Sequence, residues 1–251
     1  KYLLARPKDP EARLQLAQSI VRLGKPQEAM LELEKIPEKD RDAEIYYAIG
    51  RLDAVLNKPG PARAALEKAD EMRPSVPEVL QAILQLDQTE GHLKDSLERI
   101  AKAVSANPQS APLVRLQGIG YALDGRANDA ELSFRRAIEL DPTDLGAYQS
   151  LASLMAQTGR LGETIKTYEK ALETQPNSAP LNLTLGSLYE STGDKAKAIQ
   201  YYEKAISIDP ELAAAKNNLA YLLADSSQSL DRALDLAQEA KASLPDNPNA
   251  A

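Results

Sequence analysis

The sequence contains no cysteine, no tryptophan and only one histidine, His92. Without cysteine the chain has no disulfide and no thiolate ligand for a metal ion, and its redox compartment stays open. Because His92 is the only imidazole, serine and threonine have no other histidine to serve as a base for nucleophilic catalysis. His92 also follows Gly91 at a predicted turn, which indicates an exposed corner. We therefore expect no enzyme activity, no cofactor and no metal site in this chain.

Long hydrophobic runs and basic stripes are absent as well. No window approaches 18 consecutive apolar residues, so we predict no membrane span in this segment. The chain carries 30 basic and 37 acidic residues, a net charge of −7, without the basic stripe that follows a phosphate backbone. Nucleic acid is therefore not an expected partner. No predicted turn carries more than one of the turn glycines, so they form no phosphate-binding loop.

What the sequence does contain is a period of 34 residues. Proline lacks an amide hydrogen and disfavours helical geometry in the residue before it, so a regularly spaced proline indicates a regular helix end. A constant spacing of this length predicts a stack of helix–turn–helix repeats. The prolines that keep the spacing are Pro74, Pro108, Pro142, Pro176 and Pro210.

Five glycine or asparagine residues stand 17 positions before these prolines, and Gly24 occupies the same slot of the first repeat. Glycine, and next best asparagine, accepts the left-handed backbone conformation that closes a helix. Each repeat is therefore predicted to be a helix, a turn, a second helix and a proline stop. Such helices are about 20 Å long, too short to be stable alone, so stacking must stabilise them. The turn residues are Gly24, Asn57, Gly91, Gly125, Gly159 and Gly193.

Small residues seven positions apart mark one face of the second helix in six of the seven predicted repeats. In five of these repeats one bulky residue stands between the two small ones, and most first helices add a glycine or alanine. This pattern lets two helices approach closely around one large side chain. Examples are Ala62–Leu66–Ala69, Ala130–Phe134–Ala137 and Ala198–Tyr202–Ala205, with Gly50, Gly118 and Gly186 in the first helices.

These residues together resemble the tetratricopeptide-repeat signature from end to end of the chain. The clearest copies run from Leu116 to Pro142 and from Leu185 to Pro210. The resemblance implies an all-α, right-handed superhelical solenoid of antiparallel helix pairs. The predicted repeats are 10–42, 43–76, 77–110, 111–144, 145–178, 179–212 and 213–247, with the end of a preceding repeat at 1–9 and the start of a further repeat at 248–251.

Two aspartates depart from the family's pattern. Asp53 and Asp87 stand where a large apolar residue is usual, at equivalent positions of successive repeats. Packed helices lie about 8–10 Å apart, too far for these two carboxylates alone to hold one ion. We expect instead either loose packing around them or nearby arginine partners.

In this family the first helices line the concave face, where peptide ligands usually lie. The family's chaperone-adaptor members clamp a C-terminal carboxylate with lysine and asparagine, but the corresponding slots here are Leu14, Gln18 and Ala48. The exposed groove positions implied by the resemblance include Leu14, Gln18, Leu183 and Ser187. The predicted partner-binding set is Tyr47, Arg51, Gln81, Gln85, Arg115, Ile119, Gln149, Ser153, Asn217 and Tyr221.

The predicted function is a protein-interaction scaffold that binds a partner protein or peptide in this groove. The alternative is an assembly or carbohydrate-handling module of an exopolysaccharide export apparatus. It depends on residues 216–248, which resemble late repeats of bacterial exopolysaccharide and exosortase (PEP-CTERM) systems, often lipoproteins. That resemblance implies a periplasmic or outer-membrane location. Polysaccharide sites favour exposed aromatic residues, and only Tyr47 and Tyr221 qualify, which favours the scaffold.

Overall fold

The computed structural model describes residues 9–225 and 229–243. Within these ranges the chain forms α-helices and no strand, which confirms the all-α prediction. The fourteen helices are α1 (Pro10–Arg22), α2 (Pro26–Glu34), α3 (Ala43–Val55), α4 (Pro59–Met72), α5 (Pro77–Glu90), α6 (Leu93–Ala106), α7 (Ala111–Leu123), α8 (Ala127–Leu140), α9 (Leu145–Gln157), α10 (Leu161–Thr174), α11 (Ala179–Ser191), α12 (Lys195–Ile208), α13 (Ala213–Asp225) and α14 (Leu230–Ala242).

The odd-numbered helices are the first helices of the pairs and the even-numbered helices are the second helices. The chain divides into two compact units, unit 1 (residues 1–133) and unit 2 (residues 134–251). In unit 1, α1 packs on α2, α3 on α4 and α5 on α6, while in unit 2 α9, α11 and α13 pack on the helices that follow them. Because each connection is a tight turn, the partners are antiparallel.

The turns have the predicted backbone conformation. Gly24, Gly91, Gly125, Gly159 and Gly193 all have φ between 74° and 82°, and Asn57 has φ 58°. Only glycine, and less readily asparagine, adopts this left-handed region without strain, so the spacing of these residues sets where each helix pair turns. The glycine–asparagine prediction is confirmed at all six positions.

The proline stops are confirmed as well. Pro74 follows the end of α4 by two residues, and the same offset separates Pro108 from α6, Pro142 from α8, Pro176 from α10 and Pro210 from α12. Polar caps begin several of the first helices. The carboxylate of Asp42 accepts from the Ile45 amide at 2.9 Å, and that of Asp144 accepts from the Gly146 amide at 2.9 Å.

The predicted small–large–small packing is present in both units. Ala198, Tyr202 and Ala205 of α12 are fully buried against α11 and α13, as Ala62, Leu66 and Ala69 of α4 are in unit 1. The close approach is tightest at the first-helix glycines: an added Cβ at Gly186 would lie 2.4 Å from Cε1 of Tyr202. Gly50 meets Leu66 in the same way at 2.6 Å.

The burial of the second-helix alanines gives a direct stability test. Leucine at Ala137 or Ala205 overpacks a contact where the native side chain has no exposure, and we expect it to lower the free energy of unfolding by about 1–3 kcal/mol. Leucine at Gln200, which is exposed on the same helix as Ala205, should change it by less than about 0.5 kcal/mol. Equal losses in denaturant titrations of all three variants would contradict this register.

The predicted repeat fragments at 1–9 and 248–251 lie outside the described residues, except for Asp9, which caps α1. The last turn, between α13 and α14, is described only at Asp225 and Ser229. In the described ranges no helix combines the length and the apolar character needed to cross a membrane.

Candidate partner-binding groove

A groove of about 610 Å³ opens in unit 1 along α1 and α3 and reaches the start of α5. We call it the α1–α3 groove. Its volume lies within the roughly 300–1,000 Å³ common for ligand pockets. It is lined by Leu14, Ala17, Gln18, Val21, Arg22, Leu33, Ala43, Glu44, Tyr47, Ala48, Arg51, Leu52, Val55, Arg73, Val76, Glu78 and Val79.

The floor of the groove is apolar and belongs to the helix-packing core. Leu14, Leu33, Leu52 and Val79 are all buried. Leu14 was predicted to be an exposed groove residue, and that prediction is wrong. Leu14 packs in one core cluster with Ala17 and Leu33, because its position on α1 faces α2 as well as the groove. It therefore shapes the floor of the groove and presents little surface of its own.

Two residues of the predicted binding set stand on the wall formed by α3. Tyr47 and Arg51 are one helical turn apart, and the guanidinium carbon of Arg51 lies 5.9 Å from the centre of the Tyr47 ring. A cation over an aromatic face is attracted by the ring quadrupole, so each side chain restricts the other. Tyr47 is half-buried and Arg51 exposed, which leaves both accessible from the groove.

The end of the groove formed by the last turns of α1 and α3 carries exposed apolar surface. Val21 is 43% exposed and Val55 is 65% exposed. Val21 directly precedes Arg22, and Val55 lies one helical turn after Arg51; both arginines line the groove. A partner side chain placed here would meet aliphatic surface and guanidinium groups together.

The remaining members of the predicted binding set also lie on first helices. In unit 1, Gln81 and Gln85 are exposed on α5, and Arg115 and Ile119 are half-buried on α7. In unit 2, Gln149 and Ser153 are exposed on α9, and Asn217 and Tyr221 are exposed on α13.

Asn217 and Tyr221 line a second groove, of about 510 Å³, with the α14 residues Leu230 and Leu234. Tyr221 is 64% exposed, and both leucines are similarly accessible. The structure thus brings Tyr47 together with Arg51, and Asn217 together with Tyr221, in different units.

Sequence reasoning missed several lining residues of the α1–α3 groove. Arg73 follows the end of α4, and Glu44 and Glu78 lie in the first turns of α3 and α5. Val21 and Arg22 end α1. The family pattern marks the middle of each first helix, whereas these residues reach the groove from helix ends, for which that pattern holds no signal.

The buried aspartates have distinct partners. The carboxylate of Asp87, which is 1% exposed, accepts from Nη2 of Arg63 and from the hydroxyl of Ser96, each at 2.5 Å. The expected arginine partner is confirmed for Asp87. At Asp53 the nearest cation is a lysine, with Nζ of Lys58 3.9 Å from the carboxylate. Burial raises the pKa of Asp53, and the Lys58 charge opposes that rise.

Asp87 and Glu90 come together with His92, with potential ligand atoms within 4.8 Å of one another. Arg63 already occupies this cluster, because its guanidinium donates to both Asp87 and Glu90. These hydrogen bonds, first to Glu90 and then to Asp87, raise the pKa of Arg63, so it stays cationic beside any incoming ion. A metal would have to displace a bound guanidinium, which the arrangement does not favour.

This arrangement predicts that His92→Ala changes neither stability nor binding. The imidazole is exposed, and its Nδ1 lies 4.0 Å from Glu90 at the edge of the Arg63 cluster. Thermal melting of the parent and the variant with EDTA or with added Zn²⁺ should give the same Tm in all four samples. A Zn²⁺-dependent rise in Tm that the variant loses would contradict this account.

The comparisons with known proteins agree with this architecture. Models of the tetratricopeptide-repeat family match residues 1–52, 145–178 and 179–212. The crystal structure of TTC0263, a thermophilic TPR protein in Thermus thermophilus, superposes with a TM-score of 0.57 at 26% identity, covering 72% of this chain and 98% of that chain. The crystal structure of MamA gives 0.53 at 26% identity, covering 63% and 92%.

A third solved structure is that of YrrB, described as a TPR protein with an unusual peptide-binding site. It has a TM-score of 0.50 at 18% identity and covers 74% of this chain and 95% of that chain. At this identity the likeness shows the fold alone. A search of curated protein sequences finds no match. The chain therefore contains tetratricopeptide repeats, and its fold is a tetratricopeptide-repeat solenoid.

Proposed function

We propose that this chain is a protein-interaction scaffold that binds a segment of a partner protein along its first helices, with the α1–α3 groove as the main contact. The observation that carries the proposal is the groove itself. It combines a buried apolar floor, the exposed side chains of Val21 and Val55, and the Tyr47–Arg51 pair. Concave sites of this composition are where proteins usually bind ligands.

The helical framework supports binding at low entropic cost. Stacked helix pairs hold the groove walls in place, so little of the scaffold needs to become ordered when a segment docks. Arginine and tyrosine are enriched among the residues that contribute most to binding at interfaces. In unit 1, the members of the predicted set on α5 and α7 would extend the contact along the first helices.

The proposal also covers what the partner is and where binding takes place. Binding takes place without nucleic acid or a cofactor, in agreement with the acidic charge and the absence of a basic stripe. The alternative role in an exopolysaccharide export apparatus, with its periplasmic or outer-membrane location, stays a prediction. The two aromatic residues on which a polysaccharide contact would depend, the half-buried Tyr47 and the exposed Tyr221, lie in separate units.

The test is a pull-down from the native source with matched variants. Tyr47→Ala with Arg51→Ala removes both polar anchors of the groove wall, and we expect the captured partner, identified by mass spectrometry, to be lost. Leu132→Ala is the control, because Leu132 is 67% exposed on the second helix α8 and should leave capture unchanged. Circular dichroism checks that both variants stay helical. If the groove variant still captured the partner and the Leu132 variant did not, binding would be assigned to the second helices.

A further inference from the structure

The arginines of unit 1 differ in whether their guanidinium groups have partners. Arg13 pairs with Glu32, Arg63 with Asp87 and Glu90, Arg99 with Asp70, and Arg126 with Asp129. Arg41 donates to the Ile36 carbonyl, and Arg115 also has a partner. Most of the described arginines in this unit are therefore bound within the fold.

Three described arginines of unit 1 have no hydrogen-bonded or ionic partner: Arg22, Arg51 and Arg73. The guanidinium group of Arg51 lies over the ring of Tyr47. All three line the α1–α3 groove. In a chain with seven more acidic than basic residues, carboxylates are plentiful, yet no carboxylate of the described residues pairs with these three side chains.

In a peptide partner, the group that best matches a guanidinium is a carboxylate. The five N–H donors of the guanidinium form a rigid fork that binds two carboxylate oxygens side by side. Next to Arg22 and Arg51 lie the exposed aliphatic side chains of Val21 and Val55. This juxtaposition selects a ligand in which a carboxylate stands directly beside an aliphatic side chain.

The opposite end of the groove carries two carboxylates. Glu44 and Glu78 lie in the first turns of α3 and α5, where the helix N-terminus stabilises negative charge. Glu44 precedes Arg51 by seven residues, which corresponds to about 10 Å along a helix. An extended peptide covers about 10 Å in three residues. The two ends of the groove therefore differ in charge, because Arg22 and Arg51 lie toward one end while Glu44 and Glu78 outnumber Arg73 at the other. This difference fixes the direction of a bound segment.

We propose that the α1–α3 groove binds an extended peptide segment in which aspartate or glutamate adjoins an aliphatic residue. The acidic side chain lies at Arg22 and Arg51, the aliphatic side chain contacts Val21 and Val55, and the Glu44–Glu78 end accepts a neutral or basic residue about three positions away. This inference rests on the proposed function and adds the chemistry of the partner. Arg73, which directly follows α4, lies at the Glu44–Glu78 end and offsets part of its negative charge.

A peptide fits these observations better than other anions. A nucleic acid or an anionic membrane needs a continuous basic surface, whereas Glu44 and Glu78 interrupt the positive charge of the groove. The apolar floor also requires side chains to fill it, which a phosphate backbone lacks. Both alternatives are included as outcomes of the test.

The experiment is an affinity selection with a degenerate nonapeptide library passed over the immobilised chain. Retained peptides are sequenced, and the same selection is made on the Arg22→Gln, Arg51→Gln double variant. We expect the parent chain to enrich Asp or Glu next to Leu, Ile or Val, and the double variant to lose that enrichment. The control is Arg136→Gln, which removes an exposed arginine of unit 2 paired with Glu139.

Affinity is then measured by fluorescence anisotropy with the most enriched peptide. We expect Arg22→Gln and Arg51→Gln each to weaken binding by about tenfold, as is usual for the loss of one charge-assisted hydrogen bond. The effect should shrink as salt rises, because exposed charges are screened. Arg51→Glu should restore binding to the peptide whose acidic residue is replaced by lysine, which a variant that merely failed to fold would not do.

The outcomes separate this inference from the proposed function. Retained peptides without an acidic preference would overturn the inference while peptide binding by the groove stands. No retention by the parent chain would overturn both. Arginine-dependent binding of a labelled DNA strand or of anionic lipid vesicles, with no retained peptide, would also overturn both and assign the groove to a phosphate ligand.

Discussion

Replacing Arg63 with methionine should lower the free energy of unfolding by about 3–5 kcal/mol, the usual effect of leaving a buried charge without its partner. Asp87 is 1% exposed on α5, and Arg63 reaches it from α4, the last helix of the preceding helix pair. Without the guanidinium, the Ser96 hydroxyl is the one hydrogen-bond donor to this carboxylate that remains among the described residues. Urea titration of the parent and variant chains measures the loss.

The control is the double variant Arg63→Met, Asp87→Leu. The family places a large apolar residue at the position of Asp87, so leucine removes the unpaired carboxylate and fills the same space. We expect the double variant to be more stable than Arg63→Met alone, because a buried ion pair exchanged for apolar side chains is often neutral or stabilising. A double variant no more stable than the single one would show that the Arg63 effect does not pass through Asp87.

Replacing Gly186 with alanine should lower the free energy of unfolding by about 3 kcal/mol, although alanine favours helix more than glycine. The added Cβ would lie 2.4 Å and 2.5 Å from two ring carbons of Tyr202. The ring cannot move aside easily, because Tyr202 is fully buried and its hydroxyl donates to Glu190 at 2.6 Å. Burial, together with that hydrogen bond, raises the pKa of Tyr202 to about 12, so the hydroxyl stays a donor.

Gly162→Ala is the matched control. Gly162 lies in the helix α10 of the same unit, and an added Cβ there meets no atom within 4 Å. We expect this variant to be unchanged or stabilised by at most about 1 kcal/mol. If the contact between α11 and α12 decides the effect at Gly186, calorimetric melting should show a loss of stability for Gly186→Ala and no loss for Gly162→Ala. A gain in stability for both would mean that α11 and α12 are less closely packed than described.

The features that come from local backbone chemistry could be predicted from the sequence. Glycine at φ near 75° and proline after a helix end are properties of single residues, so their 34-residue spacing was sufficient to place the helix pairs. The alanine faces followed from the same spacing, since burial repeats with the period. These predictions needed no knowledge of which residues meet across repeats.

The features that depend on contacts between helix pairs could not be predicted in the same way. The partner of Asp87 lies 24 residues earlier, and no sequence pattern selected Arg63 over the other arginines. Leu14 was placed in the exposed groove because the family's pattern averages over repeats, whereas its actual burial depends on the particular side chains of α2. The sequence alone does not show that Arg22 and Arg73 have no carboxylate partner among the described residues. That depends on where the neighbouring carboxylates lie in the folded chain.

The absence of cysteine makes the central claim directly measurable, because one introduced cysteine can be labelled without competition. Val55→Cys places an environment-sensitive fluorophore at the α1–α3 groove, and Leu132→Cys places it on the second helix α8, at similarly exposed positions. The labelled chains are titrated with the peptide that the library selection enriches. We expect a saturable emission change at position 55 and none at position 132. A change confined to position 132 would contradict this expectation and assign partner binding to the second helices.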